Sequence, residues 1–481
     1  MNGQGEFQER ARKILIEAGF EPDFSSAIEE ELQGISCPIT FPEGVRDLRH
    51  LPWSSIDNSD SRDLDQVEYA ERGEGSLIRL MIGIADVASC VEKGGPIDLR
   101  AFQNTVSIYT AAKTFPMLPE ALSTDGTSLL SGQDRLGMVI DMLVQEDGEV
   151  TDSVVYHAWI RNHARFSYEQ LGNHLKRTSE LSLEDADFAA QLDLQYETAQ
   201  RLMLLRQRTG ALTFSSYEPV PVRRGDELID LKIIPHNAAR DLIESFMIAA
   251  NVATANFLKR HGWPIIERVV HAPKRWDRIR EIAGGYGFEL PEEPHPKPLA
   301  DFLADRRTKD REGFNELSLS IVKLLGAGEY VVEMPDGPQT SHFGLALDDY
   351  SHSTAPNRRF ADLVLQRLLL ALLRKSSSPY TNGELTEIAT HCTEREHAAR
   401  KVERRMRKVA AAFLVRNRIG EVFDAIVTGA TWKGVFVRVK HPAIEGKVVR
   451  GEIGMDVGQR VRVRLLSVDI DRCFIDFARA D

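Results

Sequence analysis

The chain has 481 residues, 42% of them hydrophobic and 27% charged, a balance that is typical of folded globular domains and excludes extended disorder. The formal net charge of −12 at pH 7 excludes a protein that coats nucleic acid through overall positive charge, although it leaves room for a local basic groove. The amino-terminal residues lack the basic-then-apolar order of a signal peptide, and no apolar run reaches the roughly 20 residues that span a bilayer, so we expect a cytoplasmic protein.

Residues 1–47 predict a short helical leader. The apolar side chains of Phe7 and Ile14 lie at helical spacing, and a second short helix is predicted after Ser25. Two prolines and a glycine between residues 37 and 44 mark the expected end of the leader.

The four cysteines, Cys37, Cys90, Cys392 and Cys473, are far apart and form no Cys-x-x-Cys pair. A structural zinc site usually needs closely spaced pairs, and a disulfide framework is rare in a cytosolic chain. We therefore expect four unpaired thiols.

Residues 48–418 predict a mixed domain in which strands come early and helices late. Strands are predicted at residues 77–87, 136–144 and 150–160, and helices at 184–208, 238–261, 276–287, 314–325 and 359–374. A loop over residues 375–384 is expected to precede a strongly basic helix. This order predicts an α+β fold with a mixed sheet surrounded by helices.

Residues 419–481 predict a separate five-stranded barrel of the oligonucleotide-binding type, because short valine-rich strands alternate there with Gly and Asp. Phe436 and Trp432 are candidates for stacking on RNA bases, since every base has a π-face. Packing in the barrel core is the simpler alternative for such aromatic residues.

The aspartates Asp57, Asp60, Asp63 and Asp65 fall within nine residues. Burying several ionised carboxylates together is costly unless a cation neutralises them, and hard oxygen ligands suit Mg²⁺ or Mn²⁺. A solvated acidic loop is the simpler alternative. The apolar strand predicted next argues instead that the loop is held at the rim of a core.

A calcium-binding loop is a further alternative, because residues 57–68 span twelve positions that begin with Asp57 and end with Glu68. The sixth position of such a loop needs glycine for a sharp turn, and it is Arg62 in this chain. The predicted strand that follows also differs from the helix that leaves a calcium loop. Both features disfavour this alternative.

A second motif, SHSTAPNRRFADL, places Arg358 and Arg359 directly before an amphipathic helix. Paired arginines at a helix start can offer planar donors, together with the positive helix end, to a phosphate. Pairing with nearby acids is the simpler alternative for such arginines.

Taken together, these motifs resemble those of the ribonuclease II/ribonuclease R (RNB) exoribonucleases. The resemblance runs through SIDNSDSRDLDQ, IADVASCVEKGGPID, PMLPEALS, DRLGMVIDM, ARFSYEQ, IESFMIAAN, HFGLALDDY and TAPNRRFADL, over roughly residues 50–375. The carboxy-terminal barrel resembles an S1 domain. The resemblance implies a processive, metal-dependent hydrolase that digests single-stranded RNA from its 3′ end and releases nucleoside 5′-monophosphates.

The resemblance also implies roles for individual residues. Asp57, Asp63 and Asp65 match the catalytic aspartates and are expected to hold Mg²⁺, with Mn²⁺ as the alternative. Arg358 matches an arginine that engages the scissile region. The family has another aspartate directly after the third, and this chain has Gln66 there. An amide oxygen can bind a metal but brings no charge.

Further matches concern the RNA path. Tyr109 and Phe214 resemble the aromatic residues that clamp the terminal bases, and core packing is their simpler alternative. Glu244 and Asn251 match polar positions near the RNA 3′ end, and Glu403 matches a glutamate on a late helix.

The chain is shorter than the usual family architecture, and the resemblance leaves no room for a complete amino-terminal cold-shock domain within residues 1–47. We expect a monomer with an open path to the site, which would admit single-stranded RNA and structured or tRNA-like RNA with a 3′ overhang.

Two other functions stay open. Gln66 favours an RNA-binding protein that keeps the RNB scaffold but has weak or no turnover, although Asp60 is close enough in sequence to compensate. A phosphohydrolase that acts on something other than RNA would leave the S1-like barrel unexplained.

Overall fold

The computed structural model describes residues 3–35, 37, 45–178, 188–214, 219–224, 227–233, 237–310, 313–335, 337–432 and 434–480. Its α-helices are α1 (Gly3–Glu17), α2 (Ser26–Gly34), α3 (Pro96–Asn104), α4 (Tyr168–Leu175), α5 (Ala189–Thr209), α6 (Ala238–Arg260), α7 (Trp276–Gly285), α8 (Pro296–Lys309), α9 (Phe314–Leu325), α10 (Phe360–Leu373) and α11 (Asn382–Val415). A turn of π-helix covers Leu122–Gly126. Within the described ranges, none of these helices is both long and apolar enough to cross a membrane.

The strands before α10 are β1 (Arg46–Asp47), β2 (Trp53–Asp57), β3 (Gln66–Arg72), β4 (Ile78–Ala85), β5 (Ile108–Tyr109), β6 (Thr114–Phe115), β7 (Asp134–Val144), β8 (Val150–Ser167), β9 (Pro219–Arg224), β10 (Glu227–Ile233), β11 (Ile265–Val269), β12 (Glu329–Glu333), β13 (Ser341–His342) and β14 (Leu347–Asp348). The carboxy-terminal strands are β15 (Val422–Thr431), β16 (Gly434–Val439), β17 (Ile444–Arg450), β18 (Arg460–Asp469) and β19 (Phe474–Arg479).

A mixed sheet forms the centre of the large domain, and its described strands follow the order β1-β8-β2-β3-β4-β7. The long strand β8 pairs antiparallel with β7 along its first part and parallel with β2 at its end. Because β7 also pairs with β4, the pairing returns on itself and the sheet curls around one continuous core. The predicted α+β class, a mixed sheet surrounded by helices, is confirmed.

Helix α10 docks onto the end of β4 through a buried glutamine. The side-chain oxygen of Gln366 accepts hydrogen bonds from the backbone N–H groups of Val87 and Ala88, each at 2.9 Å. Its amide nitrogen donates to the carbonyl oxygen of Ala85 at 2.7 Å. The polar residue that interrupts this apolar helix therefore satisfies backbone groups where the strand ends, as buried polar groups must be.

The carboxy-terminal strands close into a barrel in the order β15-β16-β17-β19-β18, which confirms the predicted five-stranded unit. Alternate positions along β16 point inward, so that Val435, Val437 and Val439 are buried and Phe436 is exposed between them. The barrel core belongs to the same hydrophobic cluster as one face of α11.

The amino-terminal segment begins with the predicted helix. Phe7 of α1 stacks on Phe413 of α11 with ring centroids 5.2 Å apart, and Arg10 of α1 pairs with Asp471 of the barrel at 2.5 Å. Helix α1 thus packs between the long helix and the barrel, whereas Ile28 of α2 joins the core of the large domain. Most of the predicted end of the leader, over residues 37–44, lies outside the described residues.

Four helices differ from the sequence expectations: α3, α4 and α8 were not predicted, and α11 begins earlier than expected. Helix α8, which begins at Pro296, was not expected from a proline-rich stretch, although proline is well suited to the first turn of a helix. Helix α11 begins at Asn382, inside the predicted loop over residues 375–384. Thr381 and Glu384 form a capping box there, which outweighs the turn preference of the Asn-Gly pair.

The expectation of four unpaired cysteines is wrong for one pair. Cys37 and Cys90 form a disulfide, with their Cα atoms 5.1 Å apart. Cys392 is a buried free thiol and Cys473 a partly buried one. A sequence separation of 53 residues gave no sign of the pairing, because the fold of the leader brings these two positions together.

Candidate active site

The acidic loop joins β2 to β3 at one edge of the sheet. Asp57 is the last residue of β2 and Gln66 the first of β3. The Arg165 guanidinium donates to three carbonyl oxygens of the loop at 2.5 to 3.1 Å, and Leu64 is buried. The loop is therefore held at the rim of the core, and the strand that follows it excludes the calcium-loop alternative.

Asp65 connects the acidic loop to the arginine motif. Its side chain is 2% exposed. Its carboxylate accepts hydrogen bonds from Arg358 Nε at 3.1 Å and from the backbone N–H of Asn357 at 3.2 Å. Two motifs that are almost 300 positions apart in the sequence thus meet in one site.

Backbone pairing fixes the position of Arg358. The N–H of Ser107 donates to the carbonyl oxygen of Arg358 at 3.0 Å, and the N–H of Phe360 donates to that of Thr105 at 2.8 Å. The segment before β5 is therefore clamped to the start of α10, and this contact sets the distance between the arginine and the sheet.

The neighbouring arginine has a different role. Arg359 pairs with the fully buried Asp362 at 2.7 Å, and the same carboxylate oxygen accepts the backbone N–H of Ala355 at 2.8 Å. Arg359 thus stabilises the start of α10, as the simpler alternative expected, whereas Arg358 reaches the acidic loop.

Tyr109 links a second aspartate to helix α11. Its phenol donates a hydrogen bond to Asp63 Oδ2 at 3.1 Å, and its backbone N–H donates to Glu403 Oε1 at 3.2 Å. Tyr109 as a whole residue is 45% exposed. Tyr109, Asp63 and Glu403 are therefore brought together, and Tyr109 stays partly accessible beside them.

Burial dominates the electrostatics at Asp65. It raises the pKa of this carboxyl to about 7, because the ionised form loses its hydration. The positive charge of Arg358 opposes that shift, and the negative charge of Asp63 adds to it. Any further positive charge beside Asp65 would therefore stabilise the ionised form of its carboxyl group.

Two further residues near the site were missed by the sequence analysis as functional groups. Glu68 on β3 is 0% exposed, and neither of its carboxylate oxygens has a hydrogen-bond partner. Tyr168 at the start of α4 is partly buried and lies beneath the Arg240 guanidinium, which is 4.3 Å from the ring centroid. Burial raises the pKa values of both Glu68 and Tyr168, and the negative charge of Asp57 adds to both shifts.

The chemistry of the acidic loop suits a divalent cation, because the carboxylates of Asp57, Asp63 and Asp65 are hard oxygen ligands. Within the described residues, however, three of their oxygens do not come within 4.8 Å of one another. Asp60 is exposed in the loop, whereas Asp65 is buried. The idea that Asp60 compensates for Gln66 is therefore not supported.

Among the described residues, the acidic side chains whose oxygens lie within 4.8 Å of one another as a group of three are Glu267, Glu333 and Asp349. This group is distinct from the acidic loop. The Lys259 ammonium hydrogen-bonds to both Glu333 and Asp349. A positive charge is thus already present in that cluster.

Glu244 and Asn251 lie seven positions apart on α6, and the Asn251 amide nitrogen lies 3.5 Å from the Tyr350 hydroxyl. Glu244 is exposed and 3.8 Å from Arg206. Asn251 is 2% exposed, and its side-chain oxygen accepts the backbone N–H of Ser353 at 2.7 Å. The Asn251 amide thus holds the turn that leads to the arginine motif, and its role near the RNA 3′ end stays a prediction.

Phe214 is partly buried and packs against the hydrophobic cluster that contains Trp276 and Phe343. Ile108, beside Tyr109, belongs to another cluster. The joint action of Phe214 and Tyr109 as a clamp stays a prediction.

The aromatic residues of the barrel differ in their exposure to solvent. Phe423 is buried in the core, whereas Trp432 is 92% exposed and Phe436 lies on the outer face of β16. Arg438 pairs with Glu445 at 2.7 Å and with Glu316 at 3.1 Å. Trp432 and Phe436 thus lie on the barrel surface, while Arg438 joins the barrel to α9.

Comparison with known proteins gives two family matches. The model of the RNB domain matches residues 45–375, which is more than half of the chain. The model of the RNase II-type exonuclease C-terminal S1 domain matches residues 421–480. The second match coincides with the closed barrel.

Similar proteins agree with these matches. Ribonuclease R of Escherichia coli (strain K12) is 29% identical over 491 residues, covering 94% of this chain and 60% of the relative. Ribonuclease R of Thermotoga maritima is 30% identical over 423 residues, covering 84% and 58%. The chain thus spans about 60% of the length of these relatives.

A solved structure supports the fold. Mycoplasma genitalium RNase R in complex with ribose-methylated single-stranded RNA superposes with a TM-score of 0.86 at 23% identity, over 98% of this chain and 77% of that one. The sequence matches and this superposition agree on one architecture. The chain belongs to the RNB family and carries the family's carboxy-terminal S1 domain.

Proposed function

We propose that this protein is a metal-dependent exoribonuclease that hydrolyses single-stranded RNA processively from the 3′ end and releases nucleoside 5′-monophosphates. The observation that carries the proposal is the contact between Asp65 and Arg358, beside Asp63 and the exposed ring of Tyr109. This region combines carboxylates that can bind a cation, a guanidinium that can bind a phosphate and an aromatic ring on which a base can stack. The matched relatives bear the name Ribonuclease R, which supports the same activity.

Asp57, Asp63 and Asp65 would hold the divalent metal ion, for which we propose Mg²⁺ with Mn²⁺ as the alternative. Bound metal ions of this kind activate a water molecule and stabilise the departing 3′ oxygen. The Ser61 hydroxyl donates to Asp57 at 2.8 Å and Arg165 restrains the loop, so the carboxylates are held before substrate arrives.

Arg358 is the residue of this chain best suited to the reacting phosphate. Its side chain is 42% exposed while its Nε atom is held by Asp65. The remaining donors of the guanidinium can therefore turn toward a phosphate and offset the charge that builds up in the transition state.

The RNA path would lead from the exposed aromatic residues of the barrel to the ring of Tyr109. Trp432 and Phe436 offer stacking surfaces that do not depend on base identity. Glu244, Glu403 and Phe214 would line the path near the 3′ end. We further propose that the protein is a cytoplasmic monomer. Its proposed domains are a helical amino-terminal segment (residues 1–47), the RNB catalytic domain (residues 48–418) and the S1 domain (residues 419–481).

One alternative function stays open because Gln66 stands where the family has an aspartate. In this alternative, the protein binds RNA on the RNB scaffold but has weak or no turnover. The test is incubation with 5′-labelled single-stranded RNA in the presence of Mg²⁺, Mn²⁺ or EDTA. A ladder that shortens from the 3′ end with metal and stops with EDTA supports the exoribonuclease. An intact but shifted band in a gel retardation assay would support the alternative.

The same assay can test the substrate range. A tRNA-like RNA and a duplex with a 3′ overhang, each 5′-labelled, are compared with the single strand. Degradation that passes into the paired region would support the proposed access of structured RNA, whereas products that end at the junction would restrict the substrate to single strands.

A further inference from the structure

A short segment, residues 127–129, contacts both motifs of the candidate active site. It follows the turn of π-helix, and the N–H of Thr127 donates to the carbonyl oxygen of Leu122 in that turn at 3.0 Å. At the other end of the segment, the N–H of Leu129 donates to the carbonyl oxygen of Leu64 in the acidic loop, also at 3.0 Å. The segment is therefore fixed to the turn and to the acidic loop at once.

The buried hydroxyl of Ser128 holds the acidic loop on both sides of Asp63. Ser128 is 0% exposed. Its hydroxyl donates to the carbonyl oxygen of Arg62 at 2.8 Å and accepts the N–H of Leu64 at 3.0 Å. Because a hydroxyl can donate one hydrogen bond and accept others, this one side chain fixes the backbone before and after the aspartate.

The neighbouring hydroxyl of Thr127 contacts the arginine motif. Its oxygen lies 2.6 Å from the side-chain amide oxygen of Asn357 and 2.9 Å from the carbonyl oxygen of Leu122. Asn357 is 1% exposed, and its backbone N–H donates to Asp65. Since Asn357 directly precedes Arg358, Thr127 holds the residue at which the arginine motif meets the acidic loop.

A local structural role is the simpler explanation for a buried hydroxyl, and Ser123 provides an example of it. The Ser123 hydroxyl donates to the carbonyl oxygen of Pro119 at 3.3 Å, at the start of the same turn. Thr127 and Ser128 differ from Ser123, because their hydroxyls also contact residues that are 230 and 64 positions away in the sequence. Satisfying the turn therefore does not account for their contacts.

We propose that Thr127 and Ser128 are positioning residues that hold the acidic loop and the arginine motif at one fixed separation. The inference rests on the proposed function and adds two residues to the same site. Both residues act through Asn357 and through the loop backbone rather than by contact with the phosphate. The separation matters because a displacement of about 1 Å between reacting groups can lower a rate about a hundredfold.

The first test separates rate from binding, with 5′-labelled single-stranded RNA and the full chain below its melting temperature. Thr127→Val removes the hydroxyl but keeps the shape of the side chain, and Ser123→Ala is the matched control within the turn. We expect Thr127→Val to lower the single-turnover rate at least about tenfold and to change RNA affinity less than about twofold, because displaced groups slow the reaction while the RNA contacts remain.

Thr127→Ser restores the hydroxyl, so its rate should lie within about threefold of the wild-type rate, and that of Ser123→Ala within about twofold. A lower melting temperature of Thr127→Val with an unchanged rate would show that the hydroxyl serves folding alone. That result would overturn the inference for Thr127.

A double-mutant cycle tests whether Thr127 acts through Asn357. Asn357→Leu removes the amide from the other side of the contact and is expected to give a similar loss of rate, so it carries the test if Thr127→Val does not fold. If the two side chains act as one unit, the double variant should be no more than about twofold slower than the slower single variant. Losses that multiply in the double variant would show independent roles and overturn the inference for this contact.

Ser128→Ala tests the other half of the inference without RNA. If Ser128 fixes the backbone around Asp63, its loss should weaken Mn²⁺ binding about tenfold, the effect of removing a group that supports a metal ligand, and Ser123→Ala should change it less than about twofold. Electron paramagnetic resonance titration of the full chain measures both affinities. Unchanged Mn²⁺ affinity in folded Ser128→Ala would overturn the role of Ser128.

The inference and the proposed function fail in different ways. Intact RNA after incubation with the wild type would contradict the proposed function, while Mn²⁺ binding would still report on Ser128. Degradation at the full rate by Thr127→Val would overturn the inference and leave the proposed function in place.

Discussion

The Nε atom of Arg358 lies 3.1 Å from Oδ2 of Asp65, and this contact joins the two motifs on which the candidate active site depends. The carboxylate is almost completely buried, while a large part of the guanidinium stays accessible. Asp65 therefore orients Arg358 and also lies among the aspartates expected to hold metal. Any change at Asp65 should affect catalysis more than binding.

Asp65→Asn tests this directly. The amide keeps the size of the side chain but removes the charge that binds metal and orients Arg358. We expect the rate of RNA degradation to fall at least about a hundredfold, the scale of one lost transition-state interaction, with little change in RNA affinity. Single-turnover rates and filter-binding constants on the same 5′-labelled RNA provide the measurement. Asp60→Asn, in the exposed part of the loop, is the control, and near-normal turnover of Asp65→Asn would remove its proposed role.

The pKa of Asp65 predicts a pH dependence of stability in EDTA. Burial raises this pKa from 3.8 to about 7, so the folded protein holds a proton that the unfolded chain releases. The stability that this proton contributes is complete below about pH 4 and is lost as the pH rises through 7. Relative to Asp65→Asn, the wild type should lose on the order of 4 kcal/mol of unfolding free energy between pH 4 and 8.

Urea unfolding of both proteins at several pH values measures this difference. Other buried carboxyls, such as Glu68 and Glu267, titrate in both proteins, and their contributions largely cancel in the comparison. A difference that stays constant between pH 4 and 8 would show that Asp65 is already ionised in the metal-free protein.

Tyr109 has two separable functions. Its ring is available for stacking, and its hydroxyl donates to Asp63. Tyr109→Ala should weaken the binding of a short RNA by about 1–3 kcal/mol, the value of one stacked base. Tyr109→Phe keeps the ring, so it should preserve affinity and lower only the degradation rate, because Asp63 loses a hydrogen bond. Equal losses of affinity in the two variants would argue against stacking.

The exposed aromatic residues of the barrel predict a length-dependent effect. Replacing Trp432 and Phe436 together by alanine should weaken binding of a long RNA by about 2–6 kcal/mol, the sum of two stacked bases, and leave binding of a short RNA unchanged. Fluorescence anisotropy with RNAs of two lengths measures the difference. Phe474→Ala, another exposed aromatic residue of the barrel, is the control. Equal weakening for both RNA lengths would place the effect elsewhere.

Much of the site was predictable wherever it depends on local pattern. The spacing of Asp57, Asp63 and Asp65 and the apolar strand after them indicated a loop held at the rim of a core, and the structure has this arrangement. The valine alternation after residue 419 predicted the barrel, because inward and outward positions alternate along each strand. Both predictions depend only on residues that are close to one another in the sequence.

Other features depend on contacts between distant segments. Phe436 and Phe423 look equivalent in the sequence, yet barrel closure buries one and exposes the other. Asn251 matches a position near the RNA, but the turn at Ser353 uses its amide. The Thr381–Glu384 spacing of a capping box is visible in the sequence, but the adjacent Asn-Gly pair predicts a turn, and in the fold the capping box prevails.

The sequence by itself determined the fold class, the barrel and the identity of the acidic and arginine motifs, since these follow from periodicity, spacing and residue chemistry. Only the tertiary structure decided that Arg358 rather than Arg359 meets Asp65, that Cys37 meets Cys90, and that Glu68 is buried without a partner. The physical reason is that burial and long-range pairing arise when the curled sheet closes and α10 docks on it, and no local pattern records which side chains that closure brings together.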